Sequence, residues 1–393
     1  MTPPRWHVPM DGRDPDESHR AATPLELLFD LCFVVAVAQA AIVLHHEIAA
    51  IHVLSGIIGF AMVFFAIWWA WMNFTWFASA YDTDDVLYRL LTFVQMGGVL
   101  VIAAGIAEAY EHGDYLVVTI GYGLMRVALI AQWLRASVED PRCRNTARRY
   151  ALGIALVQVG WFGRLLLPTE VGIAAFVPLV VLELLVPVWA ERSGEVTPWH
   201  GGHIAERYGL FTIIVLGEVV LAATTAVQEA IGEAGLLPEL IVLAVGGLVL
   251  IAAMWWAYFK HDAAEDELTQ QTAFVWGYGH YFIFAFVAAT GAGIQVVADL
   301  THEEAAITAS GAALAVAIPV IGYLVVAGLV TNTGRSERIF GPLLIASGLV
   351  LVAALVVGPW SPFVAVLLMG LAVSGAVIVS VRRTAGGVEP GGG

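Results

Sequence analysis

From Thr23 onward the chain is a succession of long apolar runs separated by short polar breaks. Twelve runs are long enough for helices that cross about 30 Å of hydrocarbon, which takes roughly 20 residues. They fall at 24–46, 52–78, 88–108, 114–134, 149–167, 170–190, 204–227, 236–260, 272–297, 305–331, 339–358 and 361–382. The pattern predicts an all-α polytopic membrane protein, because in lipid a lone segment satisfies its backbone only as a helix. The sequence before Thr23 is polar, and the Gly-rich tail "TAGGVEPGGG" is expected to be disordered.

The pattern also repeats. Trp68-Trp69-Ala70-Trp71 matches Trp255-Trp256-Ala257-Tyr258, each cluster closing an apolar run before an acidic turn. Downstream, "AAGI" at 103–106 matches "GAGI" at 291–294. This order predicts two parallel six-helix repeats, since an even number of spans gives both copies one orientation. The expected organisation is a cytoplasmic N-terminal segment (1–23), a first repeat (24–190), a cytoplasmic linker (191–203), a second repeat (204–383) and a tail (384–393).

Composition strengthens this picture. Of 393 residues, 59% are hydrophobic and 13% charged, against about 25% charged in soluble domains. The net charge of −15 leaves no basic groove for nucleic acid. Loop cations set the orientation. They lie in the N-terminal segment, the breaks after the even-numbered spans and the C-terminal end, while the breaks after odd-numbered spans have none. Both termini are therefore expected in the cytoplasm, with the protein multi-pass in a bacterial inner membrane. Arg residues followed by an apolar run and "AVAQA" imitate a signal peptide. Asp30 inside that run, and the charge parity of twelve spans, argue against cleavage.

Ionisable residues inside spans are the candidates for chemistry. In the first span Thr23 and Glu26 have the spacing of a capping box, with Pro24 at the first helical position. Asp30 lies about 9 Å further along at ~1.5 Å per residue, on the face of Glu26, and Arg89 is its expected partner. In the seventh span His203, Arg207 and Glu218 share one stripe, while Glu206 points elsewhere. Glu218 is deep, and Gln39 is its counterpart in the first repeat. Arg126 and Glu183 are expected to pair; His280 and Gln295 are secondary polar positions that suit helix packing. Arg164, near a span end, is expected to snorkel. "HHEIAAIH" lacks the HExxH zinc spacing, so no metal, cofactor or catalytic residue is expected.

The segments "TPLELLFDLCFV" and "ERYGLFTIIVLGE" together resemble the bacterial low temperature requirement A family. The residues that carry the resemblance are Thr23, Pro24, Glu26, Leu27, Phe29, Asp30, Leu31, Phe33 and Val34, then Glu206, Arg207, Gly209, Leu210, Phe211, Ile213, Leu216, Gly217 and Glu218. Leu28 stands where the family usually has Phe. The resemblance implies a multi-span protein linked by name to growth in the cold. Phe29, Asp30 and Phe33 are also similar to the Phe-Ser-Asp signature of lysosomal-type potassium channels, which implies a pore-lining place for Asp30. The Ser of that signature is replaced or absent, and the seventh span lacks the motif.

The leading expectation is a transport protein, a channel or secondary transporter for protons or small ions, embedded in the lipid bilayer and open to homo-oligomer formation. The alternative is a non-transporting sensor or assembly factor in cold or lipid stress. A membrane-embedded enzyme ranks third, because neither a phosphate loop nor a nucleophile elbow is present.

Overall fold

The computed structural model describes all residues except 1–5, 16, 18–19, 193–194, 235–237, 261–269, 302–304, 332–339 and 386–393. The tail expected to be disordered, like Arg335 and Arg338, lies mostly or wholly outside the described residues. Among these residues the chain is entirely helical: α1 (Pro24–Ala49), α2 (Val53–Tyr81), α3 (Val86–Glu111), α4 (Leu116–Glu139), α5 (Arg144–Arg164), α6 (Thr169–Glu191), α7 (Gly201–Ala234), α8 (Pro238–Phe259), α9 (Gln270–Asp299), α10 (Ala309–Thr331), α11 (Phe340–Val352) and α12 (Pro362–Ala385). A π-helical turn, Ala353–Val357, extends α11.

Each helix falls on one of the apolar runs, and polar caps set several of its ends. At α1 the Thr23 N–H donates to Glu26 Oε2 (2.8 Å) and the Glu26 N–H to Thr23 Oγ1 (3.3 Å), which is the expected capping box. Asp85 opens α3 by accepting from the Tyr88 N–H at 2.8 Å. Ten helices among the described residues are long and apolar enough to cross a membrane; α5 and α7 are not among them. In α5 the reason is visible in its charges, Arg148 and Arg149 at one end and Arg164 at the other. Several side chains of α7 lie outside the described residues.

The chain divides into two compact units, Met1–Ala40 with Ala61–Arg207, and Ala41–Phe60 with Tyr208–Gly393. In the first unit α3 packs on α4, α4 on α5, and α5 on α6, while α2 reaches α6 through a Trp69–Glu183 hydrogen bond of 2.8 Å. Two glycines let α3 and α4 touch backbone to backbone: a Cβ on Gly98 would lie 2.7 Å from the Gly121 carbonyl, and one on Gly121 2.6 Å from that of Gly98.

In the second unit α9 packs on α10, α10 on α11, α11 on α12, and α12 on α8. Among the described residues its fully buried polar side chains are uncharged and locally satisfied. His280 Nδ1 bonds the Trp276 carbonyl (2.7 Å), so the neutral ring accepts at Nε2 from the Tyr258 hydroxyl (2.8 Å). Gln295 is half-buried on the same helix.

Candidate functional site

The first unit contains a buried acid–base cluster made from two helix starts. On α1, Glu26 and Asp30 stand four residues apart and therefore share a face. On α7, His203 and Arg207 do the same. The two pairs meet at matching separations of 177 residues, His203 against Glu26 and Arg207 against Asp30. All four residues are fully buried.

The Arg207 guanidinium serves both acids. Its Nη2 donates to Asp30 Oδ1 (2.5 Å), its Nε to Asp30 Oδ2 (3.2 Å), and its Nη1 lies 2.9 Å from Glu26 Oε1. That last contact is ionic but poorly directed, since neither atom makes an aligned hydrogen bond. Asp30 gains a further donor, the Trp71 indole N–H at 2.7 Å from α2. Three donors on one carboxylate satisfy the requirement that a buried charge be paired and hydrogen-bonded.

His203 completes the cluster on the Glu26 side. Its Nε2 stands 3.3 Å from Glu26 Oε2, while Nδ1 is buried with no hydrogen-bond partner. With His203 neutral, two carboxylates face one guanidinium and the four residues carry a charge of −1. A proton on His203 brings them to neutrality.

The N-terminal segment straps across the same end of the unit. Arg20 donates to the Ser79 and Ala78 carbonyls, the latter at 2.7 Å, capping the exposed carbonyl end of α2. The Arg13 N–H donates to the Ala80 carbonyl (3.0 Å), and the Val8 N–H to Asp85 Oδ2 (2.9 Å). Arg135 of α4 ties the strap down through the Val8 carbonyl (2.6 Å) and Asp85 (2.5 Å). Asp82, in the α2–α3 turn, has its pKa pushed up to about 6, first by burial and then by the charge of Glu26, against the pull of Arg20.

The expected Asp30–Arg89 contact is corrected by this arrangement. Arg89 forks onto Asp84 at 2.7 Å through both Nε and Nη2, and its side chain is 39% exposed. Asp84 lies in the turn before α3, so Arg89 finds an acid without entering the unit. Gln39 is exposed on α1, away from the four charges. Glu206 does point elsewhere, accepting from the Ala22 N–H at 3.3 Å. The side chain of Glu218 lies outside the described residues.

Arg126 and Glu183 pair as expected, at 3.3 Å and fully buried, but aromatic donors do more of the holding. Glu183 accepts from the Tyr122 hydroxyl (2.7 Å) and the Trp161 indole (3.0 Å) at Oε1, and from the Trp69 indole (2.8 Å) at Oε2. Arg126 also donates to the Tyr122 oxygen. Arg164 does not snorkel. It is 7% exposed, gives its Nε to the Gly172 carbonyl (2.6 Å) and lies over the Tyr115 ring. Among the described residues no three His, Cys, Asp or Glu side chains gather to hold a metal.

An all-helical, multi-pass membrane protein with an ionic cluster inside one unit is thus the class that fold and site define. The model of the bacterial low temperature requirement A protein (LtrA) family matches residues 21–381, and the chain belongs to that family. It is also 30% identical over 285 residues to the uncharacterized protein RA0937 of Rhizobium meliloti (strain 1021), covering 68% of this chain and 67% of that one.

Proposed function

We propose that this chain is a transport protein of the bacterial inner membrane, a channel or secondary transporter for protons or small ions. Its twelve helices form two parallel six-helix repeats with both termini in the cytoplasm. The observation that carries the reading is the buried cluster of Glu26, Asp30, His203 and Arg207. It joins the first helix of each repeat at equal depth, His203 and Arg207 facing the acids 177 positions earlier. Matching glycines support the duplication. A Cβ on Gly105 would lie 2.9 Å from the Val118 nitrogen, and one on Gly293 2.9 Å from that of Val316, at the α3–α4 and α9–α10 crossings respectively.

In this reading His203 takes up a proton at the free Nδ1, and the imidazolium competes with Arg207 for Glu26. Arg207 then concentrates on Asp30. Proton uptake thereby changes which acid the guanidinium holds, and a change of partner between two helix starts is a means of coupling protonation to helix movement. Purified protein in liposomes tests this. Flux of protons, alkali cations or small anions is expected to depend on pH, and His203→Asn to remove that dependence while Asp30→Asn suppresses flux. Absence of flux for every ion across a range of pH and voltage sinks the proposal.

One observation favours the second reading, a non-transporting sensor or assembly factor. Both Asp30 oxygens are bonded, as in a structural ion pair. That reading requires Asp30→Asn and Arg207→Gln to lower stability by similar amounts, with His203→Asn silent in every pH-dependent assay.

A further inference from the structure

The end of the first unit where α5 begins and α6 finishes concentrates basic charge, in a chain whose net charge is −15. Arg142, Arg144, Arg148 and Arg192 are exposed there, and Arg149 is half-buried. Arg142 has Asp140 at 3.7 Å, whereas Arg148, Arg149 and Arg192 have no carboxylate within 4.0 Å among the described residues. Glu191, beside them, is engaged by the Tyr150 hydroxyl (2.8 Å) and by Thr197 through its hydroxyl (2.7 Å) and N–H (3.1 Å). Loop cations of membrane proteins commonly face headgroups. Charge alone therefore marks no site, and the placement of these arginines decides.

Arg148 and Arg192 each head an exposed apolar stripe. On α5 the stripe runs Arg148, Leu152, Leu156 and Val159, and on α6 it runs Arg192, Trp189, Leu185 and Leu182. Steps of three and four keep each set on one helix face. Each stripe is about 15–16 Å long at ~1.5 Å per residue, close to one leaflet of a hydrocarbon core about 30 Å thick. The two helices pack on each other. A Cβ on Gly153 would lie 2.8 Å from Val186 and 3.5 Å from the Trp189 ring, so their crossing is close. Arg149 joins the stripes at their head. Its Nη1 donates to the Trp189 carbonyl (3.2 Å), and its guanidinium lies 5.3 Å from the centre of that indole.

We propose that this end of α5 and α6 binds one anionic phospholipid, its phosphate between Arg148 and Arg192 and its two acyl chains on the two stripes. Guanidinium groups take phosphate oxygens through paired N–H bonds. Arg149, already committed to Trp189, forms the floor of the headgroup site, and the indole sits at the headgroup level that suits an amphipathic ring. Two cations without a carboxylate partner favour an anionic head over a zwitterionic one, whose ammonium they repel. The site stands on these residues alone and is independent of the transport reading.

Delipidated protein in detergent, titrated with dioleoyl phosphatidylglycerol and followed by native mass spectrometry, tests the site. One phosphatidylglycerol per chain is expected to be retained in preference to phosphatidylcholine with the same acyl chains. Arg148→Gln and Arg192→Gln should each weaken it roughly fivefold and the double variant about thirtyfold, the usual contribution of surface cations to anionic lipid. Both side chains are exposed, so the double variant should unfold at the temperature of the lipid-free wild type. Leu156→Asn breaks one stripe without touching charge and should weaken both lipids. Arg142→Gln removes a cation outside the stripes and should leave binding unchanged. Equal retention of the two lipids by the wild type removes the phosphate contact, and inorganic phosphate binding as tightly as the lipid removes the role of the stripes. A loss with Arg142→Gln as large as with Arg148→Gln reduces the site to general surface charge. Unchanged phosphatidylglycerol binding by the double variant overturns the proposal.

Discussion

The same four-residue turn is used differently in α2 and α8. In α2, Trp68, Trp69 and Trp71 are buried, and the indoles of Trp69 and Trp71 hold the carboxylates of Glu183 and Asp30. In α8, the matching Trp255 and Trp256 are 45% and 46% exposed, and Tyr258, matching Trp71, bonds the uncharged ring of His280. Donors point inward where the unit contains buried carboxylates. Where the neighbours are uncharged, the indoles face outward and behave as a lipid-side aromatic belt. Among the described residues, the first unit therefore invests its interior in ionic contacts, and the second relies on packing with a few neutral hydrogen bonds. Polarity of this kind costs stability unless fully paired, so its presence in one unit points to a use there.

The largest expected effects come from unpairing these charges. Arg207→Gln leaves two buried acids against each other and is expected to cost about 3–5 kcal/mol, as measured for broken buried pairs. Adding Asp30→Asn should restore part of the loss, because one of the stranded charges is removed. Arg126→Met should cost a similar amount, yet with less rescue by Glu183→Gln, since three aromatic donors still hold the Glu183 position. Thermal unfolding of the single and double variants in one detergent measures both cycles. A polar-to-apolar change in the second unit, His280→Leu, should cost less than either. Equality would erase the proposed difference between the units.

Next in size is a pH effect at the strap. The folded-state pKa of Asp82 is pushed up to about 6 from an ordinary 3.8. The folded protein thus binds the proton more tightly than the unfolded chain, and stability falls as pH rises from about 4 to 6. At neutral pH this loss is on the order of 2–3 kcal/mol. Asp82→Asn is expected to flatten the slope in that window and to raise the unfolding temperature at pH 7, because an amide oxygen still accepts from the Asp84 N–H. An unchanged slope would show that Asp82 is paired more completely than its 3.9 Å distance from Arg20 implies.

Removing a single indole donor comes third. Trp71→Phe deletes one hydrogen bond to a buried carboxylate and should cost about 1.5–3 kcal/mol. Trp256→Phe at the matching turn removes no such bond and should stay within about 0.5 kcal/mol, the usual span for exposed positions.

Much of this architecture could be read from the chain, because hydropathy and capping are local. The twelve runs, the Thr23–Glu26 box and the depth of Asp30 all follow from spacing within one helix. Arg126 with Glu183 was also legible, as two opposite charges inside spans of the same half of the chain. The partner of Asp30 was not, because two nearby basic candidates competed and hydropathy gives no helix contacts. A signal did exist. Acids at positions 26 and 30 and bases at 203 and 207 share a four-residue spacing and lie at the same depth from their helix starts. Two complementary pairs with equal spacing are better matched than Asp30 with a lone Arg89 beside its own acidic turn. The strap left no comparable trace: Val8, Met10 and Arg13 act through backbone groups, to which residue type is nearly blind.

The smallest expected effect is the sharpest check on that reassignment. Arg89→Ala removes a half-exposed fork onto Asp84, and exposed ion pairs contribute about 0–1 kcal/mol. The loss should shrink further in high salt, which screens exposed charges and leaves buried ones nearly untouched. Combined with Asp30→Asn, the two changes should add without coupling, while Asp30→Asn and Arg207→Gln should be coupled by more than about 1 kcal/mol. Measured together, these cycles compare two arginines that both sit close to helix starts on the same unit. Coupling of Asp30 to Arg89, insensitive to salt, would mean that the guanidinium reaches inward in the membrane and that the charged interior is built around α3 rather than α7.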